Sequence, residues 1–196
     1  MRGDRFAYFL NAVHYCIWRG SRRLQLVIDK VIGRFLLFFG VLFLSPKKQE
    51  RLDIHIANRE KETYGYFNNK KRGFHILFAN DNFGFFYGGY SIFISFLLNG
   101  IYIRVFEYIN PVLLIVMLVV PIWLCYIPAY RAVFTNDNYL KYYKKFEKMD
   151  KSWHRKWVMI TWAFCVGGIL AFFGGIIALF AIAIGWNNVH LPFSGY

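Results

Sequence analysis

The sequence predicts an all-α integral membrane protein with three transmembrane helices and an N-terminal amphipathic or short fourth membrane segment. Hydrophobic residues make up 57% of its 196 residues, and a globular core of that size cannot hide so much apolar surface. Three apolar segments are long enough to cross a bilayer. The net charge of +13 is concentrated in blocks between these segments, as expected for loops that resist translocation.

The three predicted spans carry no charged residue near their centres. They cover residues 83–103, 112–130 and 157–186, and about 20 residues are needed to cross roughly 30 Å of hydrocarbon. The third span is longer than the bilayer requires, so we expect it to tilt or to protrude. Together the spans define a transmembrane domain over residues 83–196.

Residues 1–45 are predicted to form an amphipathic or membrane-dipping segment. Charged residues at positions 29, 30 and 34 leave an uncharged run of only residues 35–45, about half the length of a span. Leu24, Val27, Ile28 and Val31 lie on one side of a helical wheel, opposite the polar residues. This pattern favours a helix in the membrane interface over a fourth span.

The beginning of the chain does not resemble a cleaved signal peptide. Its first apolar patch, residues 6–18, is interrupted by Asn11 and His14, and no small-residue cleavage site follows. We therefore expect the N-terminus to be retained.

The distribution of basic residues favours three spans over four. Five Lys and Arg residues precede Leu24, eight lie in residues 46–82, and eight lie in residues 131–156. The connection over residues 104–111 has one, and residues 187–196 have none. With three spans every basic block lies on one side, so the positive-inside rule predicts a cytoplasmic N-terminus and a C-terminus on the opposite side.

Two polar segments are expected on the cytoplasmic side. Residues 46–82 mix charges of both signs, and we expect a short helix over about 48–62 followed by turns. The second segment, about residues 136–156, is predicted to be one amphipathic helix with aromatic residues on one face, suited to the anionic headgroup zone. Its candidate residues for binding headgroups or a partner are Lys141, Lys144, Lys145, Lys148, Lys151, Arg155 and Lys156.

Small residues recur at heptad spacing in the last span. They are Gly167, Ala171, Gly174, Ala178, Ala181 and Gly185. Because there is little hydrophobic drive between helices in lipid, such a stripe favours close helix packing. The first span has a shorter stripe, whose last three members can add interhelical hydrogen bonds: Gly84, Gly88, Ser91, Ser95 and Asn99. These stripes are predicted to pack either on each other or against another subunit.

The sequence carries no recognised catalytic or cofactor motif. Its five histidines and three cysteines have no metal-ligand spacing, and no phosphate-binding loop or nucleophile elbow is present. We therefore expect no enzymatic activity, no metal and no cofactor. The middle span contains Pro121 and Pro128, which are expected to kink the helix for architectural reasons.

These features favour a non-enzymatic membrane subunit or accessory protein. Its expected partners are anionic lipid headgroups and other membrane subunits or copies of itself, and nucleic acid is not expected. The alternative is a homo-oligomeric pore or channel, in which Ser91, Ser95 and Asn99 would face water. Heavy use of Phe, Tyr, Asn and Lys is typical of a bacterial or mitochondrial-type genome. The expected location is the bacterial cytoplasmic membrane, with the mitochondrial inner membrane as the alternative.

Overall fold

The computed structural model describes residues 2–43, 54, 65, 67, 69–106 and 110–185, with side chains from residue 5 onward except at positions 29–30, 33–34 and 36–43. The described residues are all-helical, without a strand among them. The α-helices whose bounds the structure describes are, in order, α1 Arg2–Phe43, α2 Phe74–Val105, α3 Pro111–Val133, α4 Asn138–Phe146 and α5 Lys151–Ile184. A 3₁₀-helix at Thr135–Asp137 joins α3 to α4.

The predicted fold class is confirmed. Three helical stretches of the described chain are long and apolar enough to cross a membrane, namely α2, residues 111–146 and α5. The helices α2 and α5 begin before the predicted spans, at Phe74 and Lys151. The hydrocarbon thickness sets the length of the apolar part of a helix, and the helix can continue beyond that part. The structure also contains the N-terminal helix α1, which carries the predicted amphipathic stretch.

The helix α1 is continuous, and its first half is much more deeply buried than the sequence indicated. Leu10, Val13 and Trp18 are buried, and the polar residues Asn11 and His14 are both 0% exposed. These two polar residues are tolerated in a buried position because each one forms a hydrogen bond with another helix or its end. Apart from residue 54, the predicted helix over 48–62 lies outside the described residues, and so does the predicted far-side tail.

The chain divides into two units. The first comprises Met1–Val13 and Phe83–Tyr196, and the second comprises His14–Asn82. In the first unit, α2 contacts α3 along one face and α5 along another. At 100° per residue these two faces point in nearly opposite directions, so α2 lies between its neighbours. In the second unit, the start of α2 lies antiparallel to α1, since His14 pairs with Asn80 and Ser21 with His75.

Candidate functional site

The contact between α2 and α3 is held by three hydroxyl groups of α2. Ser95 Oγ donates to the Leu118 carbonyl at 2.9 Å, and Tyr87 OH donates to the Cys125 carbonyl at 3.1 Å. At the other end of the contact, Tyr102 OH accepts from the Asn110 backbone N–H at 3.2 Å. These hydroxyls are eight and seven residues apart, so they lie on one face of α2 and set an antiparallel register. We call this set of bonds the hydroxyl ladder.

Two bonds of the hydroxyl ladder lie next to the prolines of α3. The carbonyls of Leu118 and Cys125 each lie three residues before a proline, Pro121 and Pro128. Proline has no N–H to donate and crowds the preceding turn, which weakens the helical bonding of that turn. Helices tolerate proline in a membrane when a neighbouring side chain satisfies the backbone groups nearby. The hydroxyl ladder therefore supplies donors within the two turns that the prolines weaken.

The contact between α2 and α5 is built on glycine. A Cβ atom at Gly89 would collide with the Gly168 carbonyl, and one at Gly168 would collide with the Phe86 carbonyl. Further along, a Cβ atom at Gly175 would lie 3.1 Å from Phe93 Cα. Backbones that approach this closely gain dense van der Waals contact, which drives helix association in lipid. Tyr90 OH strengthens the same contact by donating to the Phe164 carbonyl at 2.8 Å.

The glycines in this contact are offset from the predicted stripe of the last span. The α2-facing residues Gly168 and Gly175 follow Gly167 and Gly174 by one position, which rotates the contact by about 100°. Gly167 takes part through the Tyr90 hydroxyl, but a Cβ atom at Gly174 would meet nothing within 4 Å among the described residues. Gly185 ends α5 with φ +85° and so closes the helix rather than extending its stripe. The other predicted members are half-buried: Ala171, Ala178 and Ala181.

The predicted stripe of the first span lies toward α3. Ser91 and Ser95 are 2% and 0% exposed, and Asn99 donates to the Ser95 carbonyl at 2.9 Å. A Cβ atom at Gly84 or Gly88 would meet nothing within 4 Å among the described residues. Tyr87 and Tyr102 were not predicted to take part in this contact. Their positions eight residues before and seven residues after Ser95 place all three on one face of a helix, and this spacing is visible in the sequence.

All seven residues of the predicted basic surface are exposed, and we call them the basic face. They are Lys141, Lys144, Lys145, Lys148, Lys151, Arg155 and Lys156. The aromatic residues opposite them point inward, and Tyr143 and Phe146 are both 0% exposed. The Phe146 ring stacks on Trp153 at 4.8 Å and meets Tyr8 edge-on at 5.2 Å. These aromatic residues therefore pack within the protein, and contact of this segment with the headgroup zone stays a prediction.

The predicted single basic helix is two helices. The helix α4 ends at Phe146, and α5 begins at Lys151 after a turn. The Asp150 carboxylate accepts from the Trp153 N–H at 3.1 Å and so caps a new helix. The helix break at this aspartate was not predicted from the sequence. The turn lets both helices contribute aromatic residues to one cluster while the basic residues stay outside.

The end of α3 is fixed by two amide side chains. Asn11 Nδ2 and Asn138 Nδ2 each donate to the Ala132 carbonyl at 2.9 Å. This carbonyl is one of the groups that a helix end leaves without an internal partner. Asn136 and Asp137 follow with φ of 56° and 52°, a left-handed conformation that Asn and Asp tolerate better than most residues. The N-terminal helix is thereby joined to the α3–α4 turn.

The second unit contains a set of buried polar contacts. His14 Nε2 donates to Asn80 Oδ1 at 2.9 Å, and burial lowers the pKa of His14 to about 4. Ser21 Oγ donates to the Trp18 carbonyl at 2.9 Å, so the 3.1 Å contact with His75 needs the histidine Nδ1 as its donor. His75 is 2% exposed. These contacts fix the register of α1 against the start of α2.

The described residues contain no group of three His, Cys, Asp or Glu side chains that could hold a metal ion. Comparison with protein-family models, with curated proteins and with solved structures finds no match to the chain.

Proposed function

We propose that this chain is a non-enzymatic integral membrane subunit, which assembles with other membrane subunits or with copies of itself through the small-residue stripe of α5. The observation that carries the proposal is that α5 has two stripes of small residues, and that among the described residues the glycines of one stripe pack against α2. Gly168 and Gly175 pack against α2, whereas a Cβ atom at Gly174 would meet nothing within 4 Å among the described residues. A groove lined by small residues favours a docking helix, because it lets two backbones approach closely.

Large apolar side chains border this groove. Leu170, Phe173 and Ile177 are 65%, 58% and 65% exposed on the adjacent face of α5. Lipid chains pack well against such residues, whereas the groove beside them matches the ridge of a second helix. We name this second stripe by its residues: Ala171, Gly174, Ala178 and Ala181.

The basic face supports the second part of the proposal, which is contact with anionic headgroups on the cytoplasmic side. Its seven cations are exposed, and the aromatic core below them fixes their position. Each Lys or Arg near an anionic membrane surface adds about 1 kcal/mol of attraction. We place the protein in a bacterial cytoplasmic membrane, with a mitochondrial inner membrane as the alternative.

The alternative of a pore receives less support. Ser91 and Ser95 are buried within this chain, and Ser95 is bonded to the α3 backbone. A water-filled path along that stripe would require α3 to leave α2. Flux through liposomes that changes on replacing Asn99 with Leu would favour the pore instead.

Association of the purified full chain tests the proposal. Two copies with different tags are co-expressed, extracted in a mild detergent and captured through one tag, and co-purifying proteins are identified by mass spectrometry. We expect a second copy or a defined subunit to be captured with the wild type and lost with Gly174→Leu. Phe173→Leu, a change at an exposed neighbour, should leave capture unchanged.

Thermal unfolding separates lost association from lost folding. Gly174→Leu should unfold like the wild type because a Cβ atom there meets no described residue within 4 Å, whereas Gly168→Leu should be destabilised. A wild-type protein that is monomeric and captures no defined subunit would contradict the proposal. Equal capture by the wild type and by Gly174→Leu would also contradict it.

A further inference from the structure

The helix α3 carries a shallow groove along one side, which we call the α3 groove. Its volume is about 280 Å³, and its lining residues follow one another at helical spacing: Trp123, Tyr126, Ile127, Tyr130 and Arg131. All five are exposed. Residues three, four, seven and eight positions apart lie on the same face of a helix, so the groove is a continuous strip along α3.

This strip lies on the side of α3 that is turned away from α2. The α3 carbonyls that accept hydrogen bonds from α2 belong to Leu118 and Cys125. At about 100° per residue, the groove residues point on average nearly opposite to Cys125. The helix is part of a stretch that is long and apolar enough to cross a membrane. A face of such a helix that is turned away from its protein neighbour meets lipid.

Arg131 lies at one end of the α3 groove. It is the one charged residue in the sequence of α3 and belongs to the last turn of the helix. Trp123 lies eight residues earlier, about 12 Å away along the helix axis, so the groove runs from the membrane surface into the hydrocarbon region. The Arg131 guanidinium is exposed and forms no hydrogen bond or ion pair with a described residue. Its N–H donors can therefore bind a ligand at that surface.

Two tyrosines line the groove beside this arginine. The rings of Tyr126 and Tyr130 lie 6.0 Å apart, and neither hydroxyl has a hydrogen-bond partner within the described chain. Tyrosine is favoured at membrane interfaces because its ring packs against acyl chains while its hydroxyl reaches polar groups. The α3 groove therefore has an apolar inner part and a polar, cationic outer end.

We propose that the α3 groove binds one molecule of an anionic phospholipid. An acyl chain lies against Trp123 and Ile127, and the phosphate accepts hydrogen bonds from the Arg131 guanidinium, which can bind two phosphate oxygens at once. The two tyrosine hydroxyls donate to phosphate or ester oxygens of the same lipid. A zwitterionic lipid fits less well, because its ammonium group would lie near Arg131 and α3 contains no carboxylate to pair with it.

This lipid site rests on the proposed function, which includes contact of the basic face with anionic headgroups. The two contacts differ in kind. The basic face attracts a charged membrane surface as a whole, and salt screens that attraction. The α3 groove instead holds one lipid by its chain and its headgroup together, so binding there should saturate and should require Arg131.

Quenching of tryptophan fluorescence by brominated lipids tests the site in the purified full chain. Trp123 lies in the groove, and Trp162 on α5 is the matched control for general lipid contact, since the two residues are 67% and 69% exposed. The protein in a neutral detergent is titrated with phosphatidylglycerol or phosphatidylcholine that carries brominated acyl chains. Comparison of the wild type with Trp123→Phe and with Trp162→Phe gives the signal of each tryptophan.

We expect brominated phosphatidylglycerol to quench Trp123 saturably, with half-saturation at an about tenfold lower concentration than brominated phosphatidylcholine, the selectivity of one charge-assisted contact. Trp162 should be quenched equally by the two lipids. Equal quenching of Trp123 by both lipids, or the same preference at Trp162, would overturn the proposal.

Substitution of arginine assigns the preference to the groove. Arg131→Gln should abolish the preference of Trp123 for phosphatidylglycerol. Arg155→Gln is the matched control, because Arg155 is an exposed arginine of the basic face and its replacement removes the same charge. An unchanged preference in Arg131→Gln, or equal loss in both variants, would overturn the groove site. Loss in Arg155→Gln alone would overturn it too, while supporting the headgroup contact of the basic face, so the two proposals fail separately. If Arg131→Gln does not fold, the comparison of Trp123 with Trp162 decides by itself.

Discussion

At the residue scale, the backbones of α2 and α5 approach closely where the helices cross at Gly89 and Gly168. Each glycine faces a backbone carbonyl of the other helix at a distance that leaves no room for a methyl group. A backbone carbonyl cannot rotate away as a flexible side chain does, so an added Cβ atom must push the helices apart. The contact therefore requires glycine for close approach rather than for an unusual backbone conformation.

Gly168→Ala should lower the free energy of unfolding by about 1–3 kcal/mol, the usual cost of overpacking a dense contact. Gly174→Ala is the matched control in the same helix, and we expect no loss of stability there because a Cβ atom meets no described neighbour. Unfolding in detergent, followed by circular dichroism, measures both. Equal stability of the two variants would contradict the helix contact described above.

His14 makes stability depend on pH. Burial lowers the pKa of this histidine from 6.5 to about 4, with the Asn80 bond acting in the opposite direction. Between pH 6.5 and pH 4 the unfolded chain binds a proton on His14 that the folded chain excludes. The contribution of neutral His14 to the free energy of unfolding is therefore complete above pH 6.5 and is lost as the pH falls toward 4. The full effect is on the order of 3 kcal/mol.

Melting temperatures at pH 7.5 and pH 4.5 test this dependence. We expect the wild type to lose stability at the lower pH, and His14→Gln to lose less, because glutamine can still donate to Asn80 but does not titrate. Identical pH dependence of the two proteins would show that His14 is not buried in its neutral form.

At the scale of elements, α3 depends on its neighbour more than its own sequence indicates. Its two prolines lie seven residues apart, and the two hydroxyl bonds from α2 repeat at nearly the same interval. Ser95→Ala should destabilise the protein by about 0.6 kcal/mol and at most about 1.7 kcal/mol, the measured range for hydrogen bonds between membrane helices. Tyr87→Phe should have an effect of similar size.

Ser91→Ala provides the control for the Ser95 variant. Ser91 is also buried on α2, but its hydroxyl bonds the Tyr87 carbonyl of the same helix at 3.5 Å and contributes no described bond to α3. Unfolding in detergent should therefore rank Ser95→Ala below Ser91→Ala in stability. The reverse order would indicate that the hydroxyl ladder does not hold α3.

The comparison of α4 and α5 with the sequence shows where periodicity is informative and where it is not. The spacing of aromatic and basic residues over residues 136–156 correctly separated an apolar face from the basic face. It did not show that the apolar face is covered by Tyr8, because a residue more than a hundred positions away leaves no local signal. The helix break before α5 has one local signal in the sequence, the capping residue Asp150. A single aspartate was too weak a signal to predict the break.

At the scale of the whole molecule, apolar length was sufficient to predict three membrane-spanning helices, because the bilayer imposes that length on any chain. The packing faces were less predictable. Heptad spacing identified α5 as rich in small residues, but two stripes one position apart have the same period, and only the contact with α2 distinguishes Gly168 from Gly167. The buried Asn11 and His14 were not recognised as core residues, since their partners lie on other helices.

The basic face and the α2–α3 connection should lie on opposite sides of the membrane. With three spans, the positive-inside rule predicts residues 131–156 on the cytoplasmic side and Arg104 on the far side. Lys148 and Arg104 are both exposed, so each can be replaced by cysteine without disturbing packing. In a background without native cysteines, a membrane-impermeant maleimide added to intact cells should label Arg104→Cys and not Lys148→Cys. Inverted vesicles should give the opposite result, and labelling of both positions from one side would contradict the three-span topology.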